Sequence, residues 1–422
     1  MTAPRLLLLA PTQSYRTDDF LAAAARLGVP VVVGTDRCHR IEETFGEEQG
    51  LWSLDYRKPE HAAEQIAAAA RQEPIAGIVP VNETTAVIAA LAAERLGLPW
   101  NPPDAALRAA DKAAQRTRLA EAGLPVPAFR AFRLDGDPEA AAASVTYPCV
   151  LKPVVLSASR GVIRADDPAG FVAAWRRIER ILREARTERR AAGAEAARTV
   201  LVEAFVPGAE VAVEGLLRGG AFELLALFDK PDPLDGPYFE ETLYVTPSRH
   251  PAPLQREIAR LTGEACRALG LREGPVHAEL RLPPAGPVIL EVAARSIGGL
   301  CARTLRFGAG ISLEELLVCH ALRLPLASLQ RERRAAGVMM IPIPRAGILH
   351  GVGGLDEAKA VPGVEDVVVT AQEGREVAPL PEGDCYFGFI FARGEAPAEV
   401  EAALRAAHAR LRIDIRAPLP MV

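Results

Sequence analysis

Short continuous apolar runs alternate with segments of helical period along the first hundred residues. The runs "RLLLLA" (5–10), "PVVVG" (30–34) and "IAGIVPV" (75–81) have the length of buried strands. Between and after them, "TDDFLAAAARLG", "PEHAAEQIAAAARQ" and "NETTAVIAALAAERLG" read as helices. This alternation predicts a small parallel, doubly wound α/β domain, which "LGLPWNPPDAA" closes near residue 107.

Two short helices follow, "PDAALRAA" and "DKAAQRTRLAEAG", then the strand candidates "AFRAFRL" and "YPCVLKPV". An Ala/Arg-rich stretch, about 168–198, predicts a helix with a solvated charged face. Next come "TVLVEAFV", "AEVAVEGLLRGG" and "AFELLALFDK", alternating strands with hairpin punctuation. Further helices are expected at 253–269 and 312–322, and the composition shifts near 331 to a final α/β segment. The expected units are thus 1–107, Rossmann-like; 108–199 and 200–330, two α+β subdomains; and 331–422, a small α/β segment. The first strand leads into "APTQSYRTDD" with no GxGxxG, which argues against a dinucleotide role for the first unit.

The stretch "VHAELRLPPAGPVILEVAAR" (276–295) raises a conflict of its own. "PPAGP" is turn chemistry between two strand-like runs, so a hairpin is expected. A turn centred on Ala285 sets Glu279 directly opposite Glu291, with His277, Ala293 and Arg295 on the same face. Val276, Ala278, Leu280, Val288, Leu290 and Val292 take the core face. Like charges directly opposite each other are destabilising, and burial makes them more so. A divalent cation between the carboxylates resolves the conflict; a one-residue slip at a wet sheet edge would also relieve it.

Composition narrows the field. Apolar content of 49%, charged content of 24% and a net charge of −5 describe an ordinary soluble protein without general affinity for nucleic acid. The six cysteines are scattered without metal spacing, as in a reduced, cytoplasmic protein. The apolar run after Arg5 is too short for a secretory segment, and no run reaches the roughly 18 residues of a membrane helix. Only five of 49 basic residues are lysines: Lys58, Lys112, Lys152, Lys230 and Lys359. A lysine that persists where arginine is the general surface cation points to a need for a compact charge; chance survival suffices for Lys58 and Lys359.

Four pieces can surround one ligand. Lys152 is a lone cation in the apolar run "YPCVLKP", costly unless an anion meets it. "SASRGV" (157–162), with Ser157, Ser159 and Gly161, is a small-residue loop whose backbone can approach phosphates. "VEAFVPGAE" offers Glu203, the apolar Ala204, Phe205 and Val206, and then Glu210, a combination suited to a purine and ribose. The acidic pair supplies a site for the cation of a nucleotide triphosphate.

In this order the pieces resemble the ATP-grasp superfamily, over roughly residues 108–322. The resemblance implies ATP and Mg²⁺ as cofactors, with Mn²⁺ as a substitute. Lys112 and Lys152 would contact phosphates under the 157–162 loop, and Glu203–Val206 would form the adenine hinge. Glu210 would meet the ribose, Glu279 and Glu291 the metal, and Arg295 the transferred phosphate. Many members carry Asn two residues after the second glutamate; here that residue is Ala293, which offers no metal ligand.

"GPVHAEL", "FDKPDPLDGPYFEETLYVTPS" and "GVMMIPIP…GVGG…LPEGDCYFGFIFARG" extend the likeness to the branch containing L-amino acid ligases. That branch implies two amino-acid substrates, an acyl phosphate, ADP release and a dipeptide product, and is compatible with a homodimer. Glu83, Glu240 and Glu241 would be partners for a substrate amino group. Ser157 and Arg295 would meet its carboxylate or the acyl phosphate, with His277, Gly298 and Gly299 lining the pocket. Two alternatives stay open: a ligase acting on another metabolite carboxylate, and a non-catalytic ATP-binding protein.

Overall fold

The computed structural model describes residues 5–12, 14–36, 50–185, 195–326 and 328–417. Four parallel strands open the chain: β1 (Leu6–Leu9), β2 (Val31–Thr35), β3 (Leu51–Ser53) and β4 (Gly77–Pro80), ordered β3-β2-β1-β4. Every residue of β1 is buried, which requires cover on both faces. Helices α1 (Thr17–Arg26), α2 (Pro59–Ala69) and α3 (Glu83–Leu96) belong to this layer. Asn82 caps α3 by accepting from Thr85 N at 2.9 Å, so Glu83 stands in the first turn, beyond the carboxyl end of β4.

Helices α4 (Pro103–Ala110) and α5 (Lys112–Glu121) lead into a four-stranded antiparallel sheet. Its strands are β5 (Phe129–Arg133), β6 (Cys149–Pro153), β7 (Ile163–Ala165) and β8 (Thr199–Ala204), ordered β5-β8-β6-β7. The short α6 (Pro138–Ala142) and the amphipathic α7 (Pro168–Glu184) complete this unit. Phe171, Trp175, Ile178 and Leu182 of α7 pack with Leu151 and Val202 of the sheet. The expected helix over 168–198 ends at Glu184 in the structure; residues 186–194 lie outside the described residues.

The larger sheet contains β9 (Ala209–Arg218), β10 (Ala221–Lys230), β11 (Leu243–Thr246), β12 (Gly274–Leu282) and β13 (Val288–Ala293), with α8 (Ala252–Leu269) on one face. After the two-residue strands β14 (Arg306–Phe307) and β15 (Ile311–Ser312) comes α9 (Leu313–Ala321). The C-terminal part adds β16 (Ala335–Ile341), β17 (Gly347–Gly353), α10 (Leu355–Lys359), β18 (Val364–Val369), β19 (Glu376–Val377), β20 (Gly388–Gly394), α11 (Pro397–His408) and β21 (Arg412–Arg416). The large sheet runs β13-β12-β9-β10-β11-β16-β20-β18, so three C-terminal strands continue it. The expected boundary at 330/331 therefore falls within one continuous sheet.

The hairpin register is the expected one at its functional end: His277 pairs with Ala293, Ala278 with Val292 and Glu279 with Glu291. A bulge follows, and Leu280 pairs with Ile289. The extra residue reverses the expected facing beyond it, so Ile289 enters the core and Leu290 faces the cavity. Helix α5 covers the edge of β13. Gln115 exchanges hydrogen bonds with Val292 N and O at 2.9 and 2.7 Å, and Arg116 donates to Ile289 O and Leu290 O at 2.8 and 2.5 Å. A sheet edge satisfied by side chains in this way is closed to further pairing, and Glu291 is fixed in place. Among the described residues no helix is long and apolar enough to cross a membrane.

Candidate active site

A cavity of about 390 Å³ lies where the two antiparallel sheets, the start of α3 and the 157–162 loop meet, a volume in the range of small-molecule sites. Its lining includes Lys112, Lys152, Ser157, Ser159, Ala204, Phe205, Val206, Glu279, Glu291 and Arg295. Lys58 and Lys359 are exposed on the surface, whereas the other three lysines stand at the cavity or directly behind it.

On one side, Asp111 caps α5 by accepting from Ala113 N and Ala114 N at 2.8 and 2.9 Å, which presents Lys112 at the first helical position. Lys112 Nζ donates to Leu156 O at 2.7 Å and lies 3.9 Å from Glu291 Oε1. Lys152 Nζ is 2.7 Å from Glu203 Oε2, and Arg116 Nε donates to Glu203 Oε1 at 2.6 Å. Burial raises the Glu203 carboxyl, but these two cations outweigh it and hold the group below the usual range. The Glu203 side chain therefore fixes Lys152, while the apolar Ala204, Phe205 and Val206 face the cavity. Phe205 also packs near Phe239, ring centroids 6.5 Å apart, with the Arg164 guanidinium 4.2 Å from its ring.

Behind the cavity floor, the side chain of Lys230 is 2% exposed. Its Nζ lies 2.7 Å from Glu210 Oε1 and 3.2 Å from Glu279 Oε1, and it donates to Glu241 Oε1. Arg281 Nε meets the other Glu210 oxygen at 2.8 Å, so the residue expected at the ribose has both oxygens engaged. Three buried or half-buried carboxylates thus face two buried cations. Burial and the neighbouring Glu279 and Glu210 charges push Glu241 up to about 7, against the pull of Lys230. Glu279 goes the other way: burial opposes ionisation, but Lys230 and His277 hold it well below the usual range.

This donor set fits a hard divalent cation. Oxygens of Glu210, Glu241 and Glu279 all lie within 4.8 Å of one another, and their excess negative charge is what such an ion would neutralise. Glu291, expected as a metal residue, is not one of these three; it faces Glu279 across the ladder beside Lys112. Ala293, the departure from the superfamily pattern, is a buried ladder partner of His277.

His277 Nδ1 lies 3.3 Å from Glu214 Oε2 and Nε2 lies 3.7 Å from Glu279 Oε1. Burial lowers its pKa, yet the two carboxylates outweigh that and raise it overall. Glu214 in turn accepts from Ile297 N at 3.0 Å, tying the imidazole to the 295–299 segment. At the far side, Arg295 Nε and Nη2 both donate to Glu83 Oε1, at 2.8 and 2.6 Å. Gly298 and Gly299 line the same region; a Cβ on Gly299 would stand 2.8 Å from Phe389 Cε1. Of the two candidate glutamates in "YFEE", Glu241 lines the main cavity, whereas Glu240 faces a small adjoining one with Ile341 and Ile343. Gly161 is outside the lining: its N–H donates to Pro381 O at 2.9 Å, joining the loop to the C-terminal part.

Residues 21–100 match the ATP-grasp N-terminal domain, 145–304 the ATP-grasp domain, and 339–416 the L-amino acid ligase C-terminal domain 2. The chain belongs to the ATP-grasp superfamily. A crystal structure of L-amino acid ligase from Bacillus licheniformis superposes on this ATP-grasp chain with a TM-score of 0.77 at 26% identity, covering 98% of this chain and 99% of that one. An uncharacterized protein of Sinorhizobium fredii is 30% identical over 315 residues, 72% of this chain and 60% of its own length. Carnosine synthase 1 of Gallus gallus is 31% identical over 311 residues, 71% of this chain and 33% of its own length. The chain thus spans 60% and 33% of the length of these curated relatives, less than two thirds of either.

Sequence reasoning missed Arg16, Arg116, Glu214, Tyr244, Arg281 and Tyr386, all of which line or brace this ATP-grasp site. Arginine is too abundant here for a single one to stand out, whereas scarcity marked the lysines. A signal did exist for Arg116, four residues after Lys112 and hence on the same helix face.

Proposed function

We propose that the protein is an ATP-dependent carboxylate–amine ligase that joins two amino acids, releasing ADP and phosphate. The observation that carries this reading is the meeting of an acidic cation site, two lysines and the Glu83–Arg295 pair around one cavity. The likeness to the Bacillus licheniformis ligase over nearly the whole chain supports the choice of amino acids.

When bound, ATP with Mg²⁺ supplies the electrophilic γ-phosphoryl group. Glu279, with Glu210 and Glu241, would hold the metal, Glu291 facing Glu279 across the ladder; Lys112 and Lys152 would place charge on the phosphate oxygens. Such fixed charges act where negative charge develops, without reorganisation at the moment of reaction. The adenine would lie against Ala204, Phe205, Val206 and Leu290, the apolar part of the lining. Glu83 offers a carboxylate to the substrate α-ammonium, and Arg295 stands by the carboxylate that becomes the acyl phosphate. The amine of the second amino acid then displaces phosphate. Ser157 and Ser159 of the loop and Tyr244 and Tyr386 opposite enclose this space, which limits loss of the acyl phosphate to water.

The reading is tested with one substrate labelled by ¹⁸O in its carboxylate. Transfer of one label to the released phosphate is expected; unlabelled phosphate alongside product would overturn it.

A further inference from the structure

Beside the main cavity lies a recess of about 30 Å³, room for roughly two groups the size of a water molecule. Ala158, Ser159, Glu241, Cys385 and Tyr386 line both spaces. The recess therefore branches from the main cavity between the 157–162 loop and the 378–386 segment, which the Gly161 N to Pro381 O bond holds together at 2.9 Å. Ile341, Ile343, Pro379 and Leu380 make its other walls apolar, and Glu240 brings a carboxylate. Among the described residues no lysine or arginine lines it.

Glu240 is the exception among the acids. Every other carboxylate lining the two spaces lies within 3.9 Å of a lysine or arginine nitrogen. Glu240 is half-buried and takes a backbone hydrogen bond at Ile343, with no ion-pair partner among the described residues. A carboxylate partly withdrawn from water is costly without a cation. The neighbouring site has none to lend: Lys230 is taken up by Glu210, Glu241 and Glu279. A substrate side chain can supply the charge. Its methylenes would lie against Ile343 and Leu380 and its cationic end would reach Glu240, the ordinary division of a long basic side chain between apolar stem and charged tip. Resting on the ligase reading above, we propose that Glu240 and this recess select one amino-acid substrate by a side chain ending in a primary ammonium, of the lysine or ornithine kind.

The test compares lysine with norleucine and ornithine with norvaline, which keep the carbon chain and lose the ammonium. The wild-type enzyme should favour at least one basic member over its uncharged counterpart by roughly 10-fold or more in kcat/KM, the size of a hydrogen bond to a charged group. In Glu240→Gln that preference should collapse towards unity through a raised KM for the basic amino acid, with KM for ATP within about two-fold. Equal losses on both counterparts in Glu240→Gln would assign the residue to supporting the 378–386 segment and overturn the proposal. If the variant does not fold, the wild type still decides: equal use of the counterparts, or preference for the uncharged ones, overturns it. Absence of turnover by the wild type with every amino-acid pair would instead overturn the ligase reading, and this proposal with it.

Discussion

Glu83 and Arg295 stand 212 positions apart in the chain, yet one carboxylate oxygen accepts from two guanidinium nitrogens at 2.8 and 2.6 Å. The pair joins the first helix turn after β4 to the end of the metal-side hairpin, so the N-terminal domain completes the site. Replacing Glu83 with Gln removes the charge and leaves Arg295 underpaired. The expected outcome is a rise of 10-fold or more in KM for one amino acid with little change in KM for ATP. Steady-state kinetics with each substrate varied in turn would check it.

The same pair sets a pH dependence of stability. Burial raises Glu83, but Arg295 outweighs it and lowers the carboxyl to about 2, against about 4.3 in an unfolded chain. The unfolded state therefore binds more protons between these values. The stabilisation is fully present above about pH 5 and is lost as pH falls through 4 towards 2. Urea unfolding from pH 6 to pH 3 should show a steeper loss for wild type than for Glu83→Gln; parallel curves would refute this.

Lys230 holds three glutamates together in a buried site. In Lys230→Met those carboxylates lose their ammonium, and the metal-free protein should be destabilised by roughly 3–5 kcal/mol. A divalent cation then has more charge to neutralise. Mg²⁺ should raise the melting temperature of the variant more than that of wild type, by mass action on the folded state. Thermal melts with EDTA and with Mg²⁺ distinguish this from simple damage, which Mg²⁺ would not repair.

Arg116 carries no substrate role here but fixes Glu203, Ile289 and Leu290. Arg116→Met leaves Glu203 with Lys152 alone and β13 with two free carbonyls, at a cost of roughly 3–5 kcal/mol. ATP affinity should fall with it, because Lys152 and Glu291 lose their support. Isothermal titration with a non-hydrolysable ATP analogue below the melting temperature would measure the loss.

What was legible in the chain depended on whether local chemistry was unusual. Glu279 opposite Glu291 could be read because turn chemistry fixes register and two facing carboxylates demand a reason. The adjacent bulge could not, since nothing in "PVILEV" marks Leu290 as the extra residue. Lys152 and Lys230 were visible through rarity and Arg16 was hidden by abundance. Which of Glu240 and Glu241 enters the cavity was set by strand β11 pairing with β16, nearly a hundred residues away. The continuity of β16, β18 and β20 with the main sheet was equally invisible, because strand order is a long-range property.

The most direct test of the account is release of ADP and phosphate from ATP and Mg²⁺ across a matrix of amino-acid pairs, with Glu291→Ala as control. Release should require a particular pair, yield ADP and not AMP, and vanish in the variant. Tight ATP binding without release for any pair would contradict it.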